Sequence, residues 1–272
     1  GTNLVVKEAE GGMGGMEMRM HNPLFIGHGS PMNAIADNRY ARFLRAFGQS
    51  IRKPEAIVVV SAHWLTKGTY ITGGEHPEQI YDFWGFPDEL YTVRYAPKGA
   101  PEIAREIERA GIGVAVDAHR GVDHAGWAVV KHMYPDQDVP LLQISLDVDK
   151  DIREHFALGA ALSPFSRKGV LFIGSGNMIH NLRVIDFDED AKPFDWAARA
   201  DAWVKERLEN ADIDALLDYA REMPDFKLSV PTDEHYLPLA YILGMKGPEQ
   251  GIATIYEEIQ NGSVSMRSIE IA

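Results

Sequence analysis

The sequence predicts an α/β fold in which helices cover both faces of a sheet. Short apolar runs alternate along the chain with amphipathic helical patterns, which is typical of this fold class. Several of the runs are apolar at every position, as strands buried on both faces must be. The runs are residues 24–26, 56–60, 113–116, 141–146, 170–173 and 263–271.

Four helices are predicted between these runs, from apolar residues that recur at helical spacing. The first covers about residues 40–47, with Asp37 as a candidate N-cap and Gly48 as its end. The other three cover about residues 101–111, 196–208 and 213–220.

The chain of 272 residues has the length of one large domain. It shows neither an internal repeat nor a Pro-, Gly- or Ser-rich linker, so residues 21–272 are predicted to form a single catalytic domain. Residues 1–20 mix Gly, Met and Glu without periodicity. We expect them to be a disordered tail or a cloning remnant.

Composition excludes several classes of function. Against 27 Lys and Arg stand 40 Asp and Glu, a net charge of −13, which argues against a nucleic-acid partner. No apolar stretch approaches the roughly 20 residues of a membrane span, so we expect a cytoplasmic protein with no membrane partner. The chain has no cysteine. A metal must therefore be held by His, Asp or Glu.

Three histidines follow predicted strands: His28, His63 and His180. Ligands of an open α/β sheet bind beyond the carboxyl ends of the strands, so these side chains are expected to converge on one crevice. His124, in a turn before a predicted helix, and His235 are further candidates. Imidazole clusters suit zinc, iron, copper or nickel.

Structural roles compete with this interpretation. A single histidine after a strand is more often hydrogen-bonded structure than a ligand, and the nearby glycines are equally compatible with tight turns. Ser30 and Ser61 lack the Gly-x-Ser-x-Gly surroundings of a nucleophile and are expected to be hydrogen-bonding partners. Five other histidines are expected to be surface or hydrogen-bonded residues: His21, His76, His119, His132 and His155.

Six motifs occur in order from about residue 23 to the C-terminus. They are Gly27-His28-Gly29-Ser30-Pro31, Ser61-Ala62-His63-Trp64, Asp82-Phe83-Trp84-Gly85-Phe86-Pro87, Asp123-His124-Ala125-Gly126-Trp127, Gly176-Asn177-Met178-Ile179-His180-Asn181 and Glu234-His235-Tyr236-Leu237-Pro238-Leu239. Together they resemble the 4,5-DOPA extradiol dioxygenase family. These are class III ring-cleaving enzymes, similar to the catalytic subunit of protocatechuate 4,5-dioxygenase.

The resemblance implies a three-layer αβα domain with a mostly parallel or mixed sheet. It implies one mononuclear metal per chain, either Fe(II) for ring cleavage or Zn(II) as the bound form. The implied metal ligands are His28, His63, His180 and His235, and the implied catalytic residues are His124 and His180. Implied substrate contacts are Ser30, Trp64, Phe83, Asn177 and Tyr236. Glu234 stands beside His235, and the sequence leaves open which of the two reaches the metal.

The implied activity is the opening of a catechol ring, such as that of DOPA, with O₂ to give a semialdehyde. A small aromatic diol and O₂ would be the partners, and the chain would be a monomer or a small homo-oligomer. Two alternatives use the same histidines. One is a zinc-dependent hydrolase, and the other is a metal-binding module without catalytic activity.

Overall fold

The computed structural model of the protein describes residues 19–272. Of the predicted tail, residues 1–18 lie outside the described residues, so that prediction is untested there.

Eight strands form one mixed sheet in the order β4-β3-β5-β2-β6-β1-β10-β7. Neighbouring strands are parallel from β5 through β2 and β6 to β1, and antiparallel where β10 joins β1 and β7. The strands of this sheet are β1 (Leu24–Gly27), β2 (Ala56–Thr66), β3 (Thr69–Thr72), β4 (Val114–Asp117), β5 (Leu141–Asp147), β6 (Val170–Gly176), β7 (Ile252–Tyr256) and β10 (Ser268–Ile271). A separate two-stranded pair consists of β8 (Ile259–Gln260) and β9 (Val264–Ser265).

Helices lie on both faces of the sheet. They are α1 (Arg39–Ser50), α2 (Asp88–Tyr91), α3 (Pro101–Arg109), α4 (His124–Met133), α5 (Ile152–Ser166), α6 (Asp195–Glu209), α7 (Ile213–Leu217), α8 (Tyr219–Glu222), α9 (Phe226–Ser229) and α10 (Leu237–Gly244). A short 3₁₀ helix spans Pro31–Ala34.

Strand β2 shows why the strand sequences are apolar at every position. Ile57 and Val59 enter the core that also contains apolar residues of α1 and α4. Val58 and Val60 point to the opposite core, which contains apolar residues of α5, α6 and α10. Successive side chains of a strand face opposite sides, so both faces of this strand are covered. The predicted three-layer αβα fold with a mixed sheet is confirmed.

Two details of the first helix differ from the prediction. Its N-cap is Asn38 rather than Asp37, because the Asn38 side chain accepts a hydrogen bond from Ala41 N at 2.8 Å. Gly48 lies inside α1 and does not end it. A Cβ atom at Gly48 would lie 2.3 Å from the carbonyl oxygen of Met133, so this glycine permits the close approach of α1 to α4.

The predicted fourth helix is divided into α7 and α8 at Asp218, and β2 is longer than predicted. Because β2 continues to Thr66, His63 lies inside the strand rather than after it.

Within residues 19–272, no helix is long and apolar enough to cross a membrane. The cytoplasmic location stays a prediction.

Candidate metal centre and active site

The structure brings five histidines together around one cavity of about 890 Å³ at the carboxyl ends of β1, β2 and β6. His28 follows β1, His63 lies near the end of β2, and His180 follows β6. His124 is the first residue of α4, and His235 precedes α10. These are the five histidines that the sequence analysis selected.

His28 and His63 lie next to each other in the lining of the cavity. Their Nε2 atoms lie 3.2 Å apart, and the other ring nitrogen of His28 lies 3.0 Å from Ser175 Oγ. Burial, and after it the nearby His63, holds the pKa of His28 well below its usual range. Burial and the nearby His124 lower the pKa of His63 in the same way. Both rings are therefore neutral at pH 7, which is the form that binds metals.

His124 pairs with a carboxylate that the sequence analysis did not assign. Its Nδ1 lies 2.8 Å from Asp82 Oδ2, and its backbone N–H donates to Asp82 Oδ1 at 2.9 Å. A carboxylate only accepts hydrogen bonds, so Nδ1 carries the proton and Nε2 is left with a lone pair. Burial raises the pKa of Asp82, but the hydrogen bonds from His124 outweigh burial and leave that pKa below its usual value.

A second hydrogen-bond set holds the start of α4 and the end of β2 together. Ser61 Oγ donates to both carboxylate oxygens of Asp123, at 2.9 and 2.8 Å, and accepts from His63 N at 3.0 Å. The Asp123 side chain in turn caps α4 by accepting from Ala125 N. Ser61 therefore helps to position His63 directly and His124 through Asp123. This agrees with the hydrogen-bonding role expected of Ser61.

His180 and His235 stack on one another, with ring centroids 3.9 Å apart and planes 12° apart. Burial and the nearby His235 hold the pKa of His180 well below its usual range. Among the described residues, Nδ1 of His235 is buried without a hydrogen-bond partner, and Glu234 Oε1 approaches it only to 3.7 Å. His235 lines the cavity, whereas Glu234 is not among the lining residues.

These residues fit a single metal ion. Ligand nitrogens of His28, His63 and His124 all lie within 4.8 Å of one another. Two nitrogens at the usual 2.0–2.1 Å from one zinc ion would lie about 3.3 Å apart in tetrahedral geometry, close to the 3.2 Å between His28 and His63. His235 lines the same cavity, and its ring centroid lies 5.3 Å from that of His28 and 4.9 Å from that of His63. His124 is thus part of the cluster.

The predicted substrate contacts divide into two groups. Ser30 and Phe83 line the cavity, and the Phe83 ring lies edge-on to His124 at 5.5 Å between centroids. Trp64, Asn177 and Tyr236 are buried and are not among the lining residues.

Each of these three buried residues has a structural contact. Trp64 lies under the Arg120 guanidinium, and the Asn177 amide donates to Ser265 O. The Tyr236 hydroxyl donates to Leu216 O at 2.6 Å.

The histidines expected to be structural behave as such where the structure shows their contacts. His132 Nε2 lies 2.7 Å from the carbonyl oxygen of Asn33, and His155 Nδ1 lies 2.7 Å from that of Asp151. None of the five is among the residues that line the cavity in the described part of the chain.

The chain is similar to several known proteins over most of its length. It is 41% identical over 254 residues to "4,5-DOPA dioxygenase extradiol" of Escherichia coli K12, which covers 91% of this chain and 93% of that protein. It is 36% identical to the protein of the same name from Beta vulgaris, covering 93% of this chain and 97% of that one. A crystal structure of an uncharacterized protein, JW3007, from Escherichia coli K12 matches with a TM-score of 0.80 and 37% identity, over 93% of this chain and all of that one.

Residues 18–267 match the family described as the catalytic LigB subunit of aromatic ring-opening dioxygenase. This match spans the whole sheet up to the last strand and includes all five cavity histidines. The cavity combines the neutral imidazoles of His28 and His63 with the Asp82–His124 pair, and these groups suit the ring-opening reaction of this family. The chain therefore belongs to the LigB family and is an aromatic ring-opening dioxygenase.

Proposed function

We propose that the protein is an iron(II)-dependent extradiol dioxygenase that opens the ring of a catechol with O₂ to give a semialdehyde. The observation that carries this proposal is the His28–His63 pair beside the Asp82–His124 pair in one cavity. Neutral imidazoles for a metal and a charged partner for a basic imidazole therefore lie next to each other, with the His63 and His124 ring centroids 4.3 Å apart. Family membership supplies the reaction class.

We assign His28, His63 and His235 as the metal ligands, with His180 beside them. His28 and His63 contribute the closely spaced nitrogens, and the His235 ring lies beside both of them in the cavity, 5.3 and 4.9 Å away between centroids. Stacking against His180 fixes the ring plane of His235. When bound, iron(II) supplies the redox chemistry between diol and O₂, which zinc lacks.

His124 acts as the general base in this proposal. The diol must lose a proton on binding, and the Nε2 lone pair of His124 is available because Nδ1 donates to Asp82. The Asp82 carboxylate then stabilises the imidazolium that forms, and it keeps the ring in the tautomer that accepts a proton. Phe83, edge-on to His124, packs against the aromatic ring that enters the cavity.

A different third ligand is also compatible with the geometry. The nitrogens within 4.8 Å of one another belong to His28, His63 and His124, so His124 in place of His235 is the competing assignment. Metal analysis of the two alanine variants distinguishes them, because removal of a ligand lowers metal content whereas removal of a base does not.

The function is tested by stripping the protein of metal and reloading it anaerobically with Fe(II) or Zn(II). A 4-substituted catechol and air are then added, and O₂ uptake and the absorbance of the ring-opened product are recorded. We expect product from the iron form alone. Equal product from both forms would refute the redox mechanism, and water-driven turnover by the zinc form would favour a hydrolase.

A matched pair of variants links this activity to the cavity. His124→Ala should lose turnover, whereas His119→Ala should retain it, because His119 is exposed and does not line the cavity. Absence of turnover in wild type with either metal would leave a metal-binding module as the remaining alternative.

A further inference from the structure

The cavity is larger than a bare aromatic ring requires. Its volume of about 890 Å³ is near the upper end of ordinary small-molecule pockets. Two loops contribute to its lining besides the histidines: one carries Phe83, Trp84 and Phe86, and the other carries Leu182, Phe187 and Glu189. The side chain of a substituted catechol would therefore also be enclosed by the protein, and the groups around that part of the cavity must match its charge.

The charged groups that line the cavity are all acidic. Within the described part of the chain, the lining contains the carboxylates of Asp82 and Glu189 and contains neither Lys nor Arg. Lys131, close to this region, donates its ammonium to the carbonyl oxygen of Ala34, and Arg183 is exposed beside Leu182 without being part of the lining. The chain as a whole carries −13, which adds to the negative potential.

Among residues 19–272, the hydrogen bonds to the Glu189 carboxylate come from neutral groups alone. Its Oε1 accepts from the Asn38 amide and from Gln260 Nε2, the latter at 3.1 Å. Asn38 is itself held by its role as the N-cap of α1, where it accepts from Ala41 N at 2.8 Å. Amides fix the position of a carboxylate without cancelling its charge. The Asp82 carboxylate, in contrast, already accepts a hydrogen bond from His124.

Two aromatic side chains that line the same cavity as Glu189 suit the same ligand. Trp84 and Phe187 line the cavity from the two loops and are 86% and 94% exposed, so their faces are accessible to a bound molecule. Aromatic faces attract organic cations within about 6 Å, and they have no corresponding attraction for a carboxylate.

We propose that this cavity selects catechols whose ring substituent ends in a primary ammonium group, and that the carboxylate of Glu189 receives that ammonium. The inference rests on the proposed function and deepens it by naming the substrate class. A catechol whose substituent is a carboxylate meets like charge and finds neither Lys nor Arg among the described residues that line this cavity. A neutral substituent lies between these two cases. Glu189 is a specificity-determining residue and takes no part in the chemical step.

Three catechols of nearly equal size test the proposal, with 2-aminoethyl, ethyl or carboxymethyl at ring position 4. Values of kcat/KM are measured for the Fe(II) form at low and high salt, and binding to the Zn(II) form is measured by calorimetry. We expect the aminoethyl compound to exceed the ethyl compound by about 10-fold at low salt, as for one charge-assisted contact. The carboxymethyl compound should be the poorest of the three. High salt should reduce both differences.

The variant that tests the residue is Glu189→Gln, which keeps the size and the amide contacts but removes the charge. Its ratio of aminoethyl to ethyl kcat/KM should fall to within about 3-fold of unity, whereas Glu222→Gln, on the surface of α8, should keep the wild-type ratio. An unchanged ratio in Glu189→Gln, or equal or better use of the carboxymethyl compound by wild type, would overturn the inference.

Binding to the zinc form separates this inference from the proposed function. If the iron form turns over none of the three compounds but the zinc form binds them in the expected order, the function fails and the charge selection stands. If the zinc form binds none of the three, or binds them without the expected order, the charge selection fails as well.

Discussion

Replacement of Asp82 by Asn should reduce turnover by disturbing the protonation of His124. Asn has one acceptor and one donor group where Asp has two acceptors. The backbone N–H of His124 donates to Oδ1 at 2.9 Å, so the amide oxygen should keep that position and place the NH₂ group opposite His124 Nδ1. His124 Nδ1 must then accept a hydrogen bond from this NH₂ group, so the ring proton moves to Nε2. The lone pair that should act as the base is lost from Nε2.

The size of the effect follows from the contact that is lost. A hydrogen bond to a charged group contributes about 1.5–3 kcal/mol, and at about 1.4 kcal/mol per factor of ten this corresponds to a loss of about 10- to 150-fold. Inversion of the tautomer removes the base altogether and extends the loss toward the 10²- to 10⁴-fold that general acid–base catalysis contributes. We therefore expect kcat to fall by about 10²-fold or more.

The assay is steady-state O₂ uptake by the iron-loaded variant, with metal content and melting temperature measured on the same sample. Iron content should stay at the wild-type level, and the loss should be in kcat more than in KM. The matched control is Asp138→Asn, since Asp138 forms a surface ion pair with Lys53 remote from the cavity lining. A change in kcat of less than about 3-fold, or a loss of metal, would refute the positioning role of Asp82.

Three further outcomes are expected. His63→Ala should remove most of the bound metal, because the paired nitrogens would lose one member; full occupancy by metal analysis would exclude His63 as a ligand. His124→Ala should keep its metal and lose turnover by about 10²- to 10⁴-fold, whereas joint loss of metal would make it the third ligand. Gly48→Ala should place a methyl group 2.3 Å from Met133 O and cost about 1–3 kcal/mol. Calorimetry should then show a melting temperature at least about 2 °C lower. The control is Gly247→Ala, which should leave the melting temperature unchanged because a Cβ atom there meets nothing closer than 3.4 Å.

The layered α/β architecture was predictable from local patterns. Strands covered on both faces need apolar residues at consecutive positions, so β2, β5 and β6 were recognisable without any tertiary information. The peripheral strands β3 and β7 have exposed or partly exposed positions and lack such a run, and they were missed. Helix boundaries also needed the structure, because Gly48 looks like a helix end until the close contact with Met133 explains it.

The histidines at the strand ends were predictable for a topological reason. Parallel strands in one sheet bring their carboxyl ends to the same edge, so His28, His63 and His180 were expected in one crevice before any distance was known. His124 and His235 were added by the pattern of motifs. The sequence could select the first three because each follows an apolar run, whereas the other two needed the motifs.

The partners of the histidines depended on contacts between residues distant along the chain. Asp82 reaches His124 across 42 positions, and Gln260 reaches Glu189 across 71. Nothing in the local pattern around Asp82 or Glu189 distinguishes either carboxylate from the many that lie in solvent. Local residue preferences act over a few positions, whereas the charge and shape of a cavity depend on which loops the folded chain places side by side. For this protein the histidines of the candidate metal centre could therefore be predicted from the sequence, whereas Asp82 and Glu189 became apparent as cavity residues only in the tertiary structure.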